Sequence, residues 1–235
     1  MSKRHAFPVA ILAGGLATRL RPITSTIPKA MVDVAGEPFI FRQLRYLKAQ
    51  GIERVVLCVG YLGEQIQEAV GDGAAFGLRV DYSMDGPTLL GTAGALKRAL
   101  PMLGPDFFVF YGDSYLPIDF APVQQAYIEQ GKPALMTVLR NNGQWDKSNV
   151  LLEGDHLVEY NKRVLRPEME HIDYGLSILS SEALKGLPEN QPADLADIFT
   201  NLSHTGQLAH QEVHQRFYEI GSPEGLAETC ALFRE

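Results

Sequence analysis

Apolar residues follow two alternating patterns through the first half of the chain. Short apolar runs at residues 9–12, 54–60 and 107–111, with an alternating run at 78–83, predict strands, several of them buried on both faces. Between them, residues 38–51, 64–70 and 91–100 place apolar side chains at helical spacing. Strands that alternate with helices predict a mostly parallel sheet covered on both faces, with ligands at the carboxyl ends of its strands.

The second half begins in the same way and then changes. Residues 119–131 are predicted as a helix and residues 134–139 as a strand. Two short apolar runs at 150–152 and 157–160 then flank Gly154-Asp155, a pattern typical of a β-hairpin. We therefore expect an antiparallel insertion in the parallel sheet, forming one wall of a cleft.

The last part of the chain is predicted to add two strands and three helices. The strands are expected at residues 172–179 and 213–220, and two helices at 181–187 and 194–203. The final helix begins at Ser222-Pro223-Glu224, with Ser as its N-cap and Pro as its first residue. The predicted fold class is α/β: a Rossmann-like, mostly parallel but mixed sheet flanked by helices, in a single domain over residues 1–235.

Composition excludes some classes of partner. The 235 residues carry a net charge of -7 with a pI near 5.4, which argues against a nucleic-acid partner because such proteins present a basic face. Met1 to His5 lead into an apolar run too short for a signal peptide, and no apolar run reaches the roughly 18 residues of a membrane span. We expect a cytoplasmic protein without membrane contact. The sequence leaves a homo-oligomer open.

The strongest chemical signal follows the first predicted strand. Gly14-Gly15 allow a sharp turn whose N–H groups can face phosphate oxygens, and Arg19, Arg21 and Lys29 add cations nearby. The segment has neither the Gly-Lys-Ser/Thr of a P-loop nor the G-x-G-x-x-G of a dinucleotide-binding turn. It predicts a polyphosphate site of another kind; the alternative is a plain turn with solvated cations.

This segment resembles the opening motif of the sugar-nucleotide pyrophosphorylases, the nucleotidyltransferases that join a nucleoside triphosphate (NTP) to a sugar 1-phosphate. The family usually has a Gly where this chain has Ala17. The resemblance implies a nucleotide-binding half over about residues 1–118 and a sugar-binding half over about 119–235. It also implies nucleotide contacts from the residues of the motif, which are Leu12, Ala13, Gly14, Gly15, Thr18, Arg19 and Lys29.

The same resemblance recurs in Leu90-Gly91-Thr92-Ala93-Gly94. This segment is similar to the loop that the family places against the nucleotide base. Gly91, Thr92 and Ala93 are therefore implied as further nucleotide-binding residues.

Asp113 is the best candidate for a metal ligand. It follows Gly112 directly after the predicted central strand, where a hard carboxylate can hold Mg²⁺, or Mn²⁺, against phosphate. The alternative is an Asp that caps a loop turn. The family carries Gly-Asp here, and near residue 219 it usually carries a second metal-binding Asp before Ile-Gly-Thr-Pro. The corresponding acid in this chain is Glu219 in Glu219-Ile220-Gly221-Ser222, one methylene longer.

The resemblance also implies a site for the sugar phosphate. Lys162 occupies the place of a family Lys that contacts this group, and Asn161 replaces the acid that precedes it. Asp173, Tyr174 and Gly175 resemble the strand that forms the floor of the sugar pocket. The residues expected to act in catalysis are Arg19, Lys29, Asp113 and Lys162.

Several functions remain open at the level of sequence. The short chain most resembles guanylyltransferases for heptose or mannose 1-phosphate, and also uridylyltransferases for N-acetylmuramate or another hexose 1-phosphate. A GT-A glycosyltransferase would need a second Asp in an Asp-x-Asp motif, where this chain has Tyr115. A catalytically silent nucleotide-sensing subunit is the third alternative, supported by Ala17, Asn161 and Glu219 but not by the four retained catalytic candidates.

Overall fold

The computed structural model describes residues 6–234; Met1 to His5, where we expected no leader, lie outside the described residues. The strands are β1 (Val9–Leu12), β2 (Asp33–Val34), β3 (Glu37–Pro38), β4 (Arg54–Val59), β5 (Arg79–Met84), β6 (Asp106–Tyr111), β7 (Ser114–Tyr115), β8 (Ala134–Arg140), β9 (Val150–Glu153), β10 (His156–Tyr160), β11 (His171–Ser180), β12 (Leu208–Val213) and β13 (Tyr218–Glu219). The α-helices are α1 (Phe39–Ala49), α2 (Gly63–Val70), α3 (Gly91–Leu103), α4 (Phe120–Gln130), α5 (Leu195–His204) and α6 (Pro223–Leu232).

Within residues 6–234, nine strands form one mixed sheet, which confirms the predicted fold class. Strands β5, β4, β1 and β6 are neighbours in that order and run parallel. Strand β11 lies antiparallel to β6 and also to β8, which pairs in parallel with β12. The β9–β10 hairpin is antiparallel and joins β11 at its first residue, so the predicted antiparallel insertion is present.

Helices cover both faces of the sheet, as the alternating pattern predicted. Phe108 and Phe110 of β6 pack in a core cluster with residues of α1, α2 and α4. Phe107 and Val109 point to the other face, where α3 and α5 lie. All four of these side chains are at most 1% exposed. Among the helices of residues 6–234, none combines the length and the apolar character needed to cross a bilayer.

Two predicted elements near the C-terminus are wrong. The strand expected at residues 213–220 is instead β12, which ends at Val213, and the short β13. An edge strand keeps one side in water, so His210, Gln211 and Glu212 gave β12 a polar pattern typical of a loop. The helix expected at 181–187 is a 3-10 turn over Ser181–Leu184, since Gly186 and Pro188 follow.

The predicted start of the last helix is confirmed. Ser222 is the N-cap of α6, where its Oγ accepts a hydrogen bond from the N–H of Gly225 at 3.1 Å, and Pro223 is the first helical residue. The cap fixes where α6 leaves the segment that holds Glu219.

The N-termini of α3 and α5 are joined by hydrogen bonds. The carbonyl of Ala193 accepts from the N–H groups of Ala93 and Gly94, at 2.9 and 3.3 Å, and the N–H of Ala193 donates to Leu90 at 2.9 Å. Thr92 Oγ1 accepts from the N–H of Leu195 at 2.7 Å. This approach leaves no room for a side chain at residue 94, because a Cβ there would lie 2.5 Å from the carbonyl oxygen of Gln191.

Gly94→Ala should therefore destabilise the protein, although alanine is the better helix former. We expect a loss of about 1–3 kcal/mol in the free energy of unfolding, because backbone rather than a flexible side chain must move. Denaturant unfolding measures it. Gly186→Ala is the control, since nothing lies within 4 Å of a Cβ there; equal stability of the two variants would contradict the packing argument.

Candidate active site

The carboxyl ends of the parallel strands meet at one edge of the sheet. Gly14 follows β1, Gly60 follows β4, Asp85 follows β5 and Gly112 follows β6. After β5 the chain crosses back through α3 to place β6 on the other side of β1. The edge beside β1 and β6 is thus a topological switch point, where α/β sheets bind ligands.

Two cavities open at this edge. The first has a volume of about 250 Å³ and the second about 560 Å³. Of the predicted nucleotide-binding residues, those that line the first cavity are Leu12, Ala13, Gly14, Gly15, Lys29, Gly91 and Thr92. Asp113 lines it as well, and Tyr111 lines both cavities.

Three predicted nucleotide-binding residues lie elsewhere. Thr18 begins an exposed 3-10 turn, Thr18–Leu20. Ala93 is fully buried, with its N–H bound to Ala193. Arg19 lines the second cavity.

The turn after β1 lies very close to its neighbours. The N–H of Ala13 donates to the carbonyl of Cys58 at 2.8 Å, and a Cβ on Gly14 would lie 3.1 Å from the backbone nitrogen of Gly60. Gly15, by contrast, has open space where a Cβ would be and is exposed. Gly14 is needed for close approach, while Gly15 leaves backbone uncovered beside the cavity.

Ala17 adopts the left-handed conformation that explains the glycine usual in the family. Its φ and ψ are 48° and 43°, which costs an alanine about 1–2 kcal/mol. Its carbonyl accepts from Thr24 Oγ1 at 2.7 Å and from the N–H of Leu20 at 3.2 Å. Two hydrogen bonds therefore hold the residue in this conformation.

Lys29 and Asp113 form an ion pair, although 84 residues separate them. Lys29 Nζ lies 2.6 Å from Asp113 Oδ2, and the side chains are 20% and 25% exposed. Lys29 begins a 3-10 turn after Pro28, and Asp113 comes after Gly112, the residue that follows β6. The structure thus brings together two of the residues that were predicted to act in catalysis.

A short antiparallel ladder joins the backbone segments that carry Asp113 and Glu219. Glu219 of β13 pairs with Ser114 of β7, and the N–H of Ile220 donates to the carbonyl of Asp113 at 2.8 Å. No group of three or more His, Cys, Asp or Glu side chains within residues 6–234 is placed to hold a metal ion. Two carboxylates that leave further positions to water and phosphate are a donor set that fits Mg²⁺.

Gly221 leaves room for the side chains of both Arg19 and Glu219. A Cβ on Gly221 would collide with the carboxylate of Glu219 and would lie 3.3 Å from a guanidinium nitrogen of Arg19. Arg19 and Glu219 thus both lie against the backbone of residue 221. They line the second cavity together.

Lys162 and Asp173 lie in the second cavity. Burial raises the pKa of the Asp173 carboxyl above its usual value, and the positive charge of Lys162 offsets part of this rise. Asp173 Oδ1 accepts from the N–H of Gly175 at 3.0 Å. Gly175 has φ of 103°, at a bulge where β11 shifts its register with β8, so a side chain there would be strained.

The side chains of Asn161 and Tyr174 form hydrogen bonds within the protein. Asn161 Oδ1 accepts from the N–H groups of Arg163 and Val164, at 3.0 and 2.9 Å, and so shapes its own loop. Tyr174 is 2% exposed, and its hydroxyl donates to the carbonyl of Arg216 at 3.5 Å. Tyr174 lines the second cavity.

The sequence analysis missed a stack of side chains in the second cavity. The guanidinium of Arg216 lies 4.5 Å from the ring centre of Trp145 and 4.3 Å from that of Tyr218. Arg216 Nη2 also lies 2.6 Å from Glu228 Oε2. Trp145 lies far along the chain from the other three residues, so no local pattern could have grouped them.

The sequence analysis also missed Asp85, which lines the first cavity and is 5% exposed. Its Oδ2 accepts from the N–H of Leu90 at 3.1 Å. Burial raises the pKa of this carboxyl above its usual value. Asp85 directly follows β5, and Asp113 lies two residues after β6. Asp113 was chosen because it is a carboxylate at the carboxyl end of a strand, and the same criterion could have found Asp85.

The chain is similar to known proteins along nearly its whole length. The sequence profile described as Nucleotidyl transferase matches residues 9–163. The N-acetylmuramate alpha-1-phosphate uridylyltransferase of Neisseria meningitidis is 31% identical, over 94% of this chain and 96% of its own length. The mannose-1-phosphate guanyltransferase of Aspergillus fumigatus is 28% identical, and the match covers 94% of this chain but 62% of that longer protein.

A solved structure agrees with these matches. HddC from Yersinia pseudotuberculosis, whose crystal structure contains GMP-PN, is 27% identical and superposes with a TM-score of 0.81. The superposition covers 97% of this chain and 99% of HddC. The profile match and the 31% identity to a full-length relative lead to one conclusion: the chain belongs to the nucleotidyl transferase family.

Proposed function

We propose that this protein transfers a nucleoside monophosphate from an NTP to a sugar 1-phosphate, giving an NDP-sugar and pyrophosphate. The observation that carries this proposal is the meeting of two cavities at Tyr111, with Lys29 and Asp113 in the first cavity and Arg19 and Lys162 in the second. Each cavity thus offers a cation to an anionic substrate. The names of the relatives support the same reaction class.

The two cavities suggest which part of the chain binds each substrate. Residues of about 1–118 supply the first cavity, which we assign to the NTP. Residues of about 119–235 supply most of the second, which we assign to the sugar 1-phosphate. The antiparallel strands would then form the sugar-side wall.

The reaction needs positioning and charge neutralisation more than a base, because the acceptor is already an anion. An oxygen of the sugar phosphate forms a bond to the α-phosphorus while the bond to the departing pyrophosphate breaks. Lys29 and the uncovered backbone at Gly15 bind the triphosphate, and Lys162 orients the acceptor. Arg19 stabilises the charge that develops between the two phosphates. When bound, Mg²⁺ or Mn²⁺, held by Asp113 and Glu219, supplies further neutralisation of the phosphate charge.

Asp85 supports GTP as the nucleotide substrate. A carboxylate accepts hydrogen bonds only, and guanine presents two adjacent donors, N1–H and the 2-amino group. Uracil presents one donor between two carbonyl oxygens, which a carboxylate repels. We therefore favour GTP with heptose or mannose 1-phosphate. The uridylyltransferase relative from Neisseria keeps UTP with N-acetylmuramate 1-phosphate as the second candidate. Pyrophosphate release measured with four NTPs and a panel of sugar 1-phosphates decides between them.

Asp85→Asn should impair the use of GTP more than that of UTP. The amide replaces one acceptor by a donor, so we expect kcat/KM for GTP to fall at least roughly ten-fold while that for UTP changes less. The substituted side chain can still accept from the N–H of Leu90. A uniform loss for both nucleotides would contradict a role in base selection.

Asp113→Asn should nearly abolish turnover without unfolding the protein. The change removes one charge and almost no volume, and we expect a barrier higher by about 3 kcal/mol or more, a rate loss of about two decades. Steady-state rates at saturating Mg²⁺ and circular dichroism measure the two effects. Asp155→Asn, in the exposed turn between β9 and β10, is the control. Turnover near normal in the Asp113 variant would exclude the assignment.

Lys29→Ala and Lys162→Ala should affect different substrates. If each lysine serves the cavity that it lines, the first change should raise KM chiefly for the NTP and the second chiefly for the sugar 1-phosphate, each by roughly ten-fold or more. Titration of one substrate at saturating levels of the other separates the effects. The assignment of the two cavities is wrong if both variants lose affinity for both substrates equally.

A further inference from the structure

Three polar side chains lie along one side of α1 and its C-terminal end. Gln43 and Tyr46 belong to the helix, Gln50 is the C-cap that follows it, and their spacing places them on one side. Gln43 is buried, and the other two are partly exposed. All three form hydrogen bonds with the backbone of the segment that follows β6. A helix that packs against a sheet normally buries apolar residues there, so a polar stripe of this kind needs an explanation.

The three side chains contact the segment in register. Gln43 Nε2 donates to the carbonyls of Tyr111 and Ser114, at 2.9 and 2.7 Å. The hydroxyl of Tyr46 lies 2.7 and 2.6 Å from the carbonyl oxygens of Leu116 and Ile118. Gln50 Oε1 accepts from the N–H of Phe120 at 3.0 Å.

The two carbonyls that Gln43 holds bracket Gly112-Asp113. The N–H of Gly112 donates to the carbonyl of Leu12 at 2.9 Å, and the carbonyl of Asp113 accepts from Ile220 at 2.8 Å. Gln43 supplies the third side of this frame, so the backbone of Asp113 is fixed from β1, from β13 and from α1. Because Ser114 pairs with Glu219, the same amide also sets the ladder that carries the second carboxylate.

The other half of the Gln43 amide shows that its donors are what the position requires. Gln43 is 0% exposed, and no donor within residues 6–234 reaches its Oε1. A buried acceptor without a partner destabilises a fold. An apolar side chain of the same length would avoid that penalty but would leave the carbonyls of Tyr111 and Ser114 without their donor. The two donated hydrogen bonds, which hold residues 111–114, are therefore what a glutamine supplies here.

We propose that Gln43 is a positioning residue for the divalent-cation site, acting through the backbone of residues 111–114. The proposal rests on the function proposed above, in which Asp113 and Glu219 hold the cation. Gln43 lines neither of the two cavities that we assign to the substrates. Its effect should therefore appear in the binding of metal and not in the affinity for the sugar 1-phosphate.

Gln43→Met tests this proposal because methionine keeps the length and burial of the side chain and removes both donors. With enzyme and a non-hydrolysable GTP analogue at fixed concentration, free Mn²⁺ is followed by electron paramagnetic resonance. We expect the half-saturating Mn²⁺ concentration to rise roughly ten-fold, with KM for the sugar 1-phosphate unchanged. Tm should fall as well, because the carbonyls of Tyr111 and Ser114 lose their donor.

Tyr46→Phe is the matched control. It removes a hydrogen bond to the same segment from the same helix face, but beyond the carbonyls that bracket Asp113, and it keeps the ring. We expect Tm to fall while the Mn²⁺ titration stays as in the unsubstituted protein. An equal shift of the Mn²⁺ titration in both variants would mean general loosening of the segment and would overturn the proposal.

Two further variants remove the remaining ambiguities. If Gln43→Met does not fold, Gln43→His, whose ring N–H can replace one of the two donated bonds, must still shift the Mn²⁺ titration by a smaller factor; no shift overturns the proposal. Asp113→Asn must weaken Mn²⁺ binding on its own. If it does not, the proposed metal ligand is wrong; if it does while a folded Gln43→Met leaves the titration unchanged, the positioning role of Gln43 is wrong.

Discussion

Close approach of backbone segments at the carboxyl ends of β1, β4 and β6 is the constraint on which the candidate site depends. A Cβ on Gly60 would lie 2.8 Å from the carbonyl oxygen of Gly14, and a Cβ on Gly112 would lie 3.0 Å from that of Leu12. Without side chains at these points, three strand ends form one continuous floor. The cations of the following segments then converge above it, and Asp113 emerges beside them instead of a strand-width away.

The two cavities of the site mix cationic side chains with carboxylates. The protein carries a net charge of -7, yet Arg19, Lys29 and Lys162 line the two cavities. Carboxylates line the same cavities: Asp85 and Asp113 the first, and Asp146, Asp173, Glu219, Glu224 and Glu228 the second. In the second cavity, Asp173 interacts with Lys162, and Glu228 forms an ion pair with Arg216. These carboxylates orient the two cations.

The sequence predicted the parts of the molecule that local pattern controls. The alternating elements, the hairpin and the positions of Gly14 and Asp113 at strand ends follow from short-range periodicity and were found. What it missed depends on contacts between distant segments. Gly94 lacks a side chain because residues 191–193 lie against it. Gln43 is polar, as surface residues usually are, yet it is buried against residues 111–114. Those residues are distant in sequence, so no local pattern predicts the contact. β12 was not predicted, and the last strand was expected at 213–220 instead, because the polar residues of this edge strand hide its pattern.

The ion pair between Lys29 and Asp113 has a thermodynamic consequence. The two side chains bind each other. A metal ion that binds Asp113 therefore frees the ammonium group of Lys29, and a phosphate that binds Lys29 frees the carboxylate of Asp113. Under the proposed function, the metal ion and the nucleotide must each break this same ion pair, and they do not exclude each other. Linkage then requires each to raise the affinity for the other by an equal factor. The protein would bind nucleotide and metal as a cooperative unit, and either one alone would bind less tightly because it must break the pair unaided.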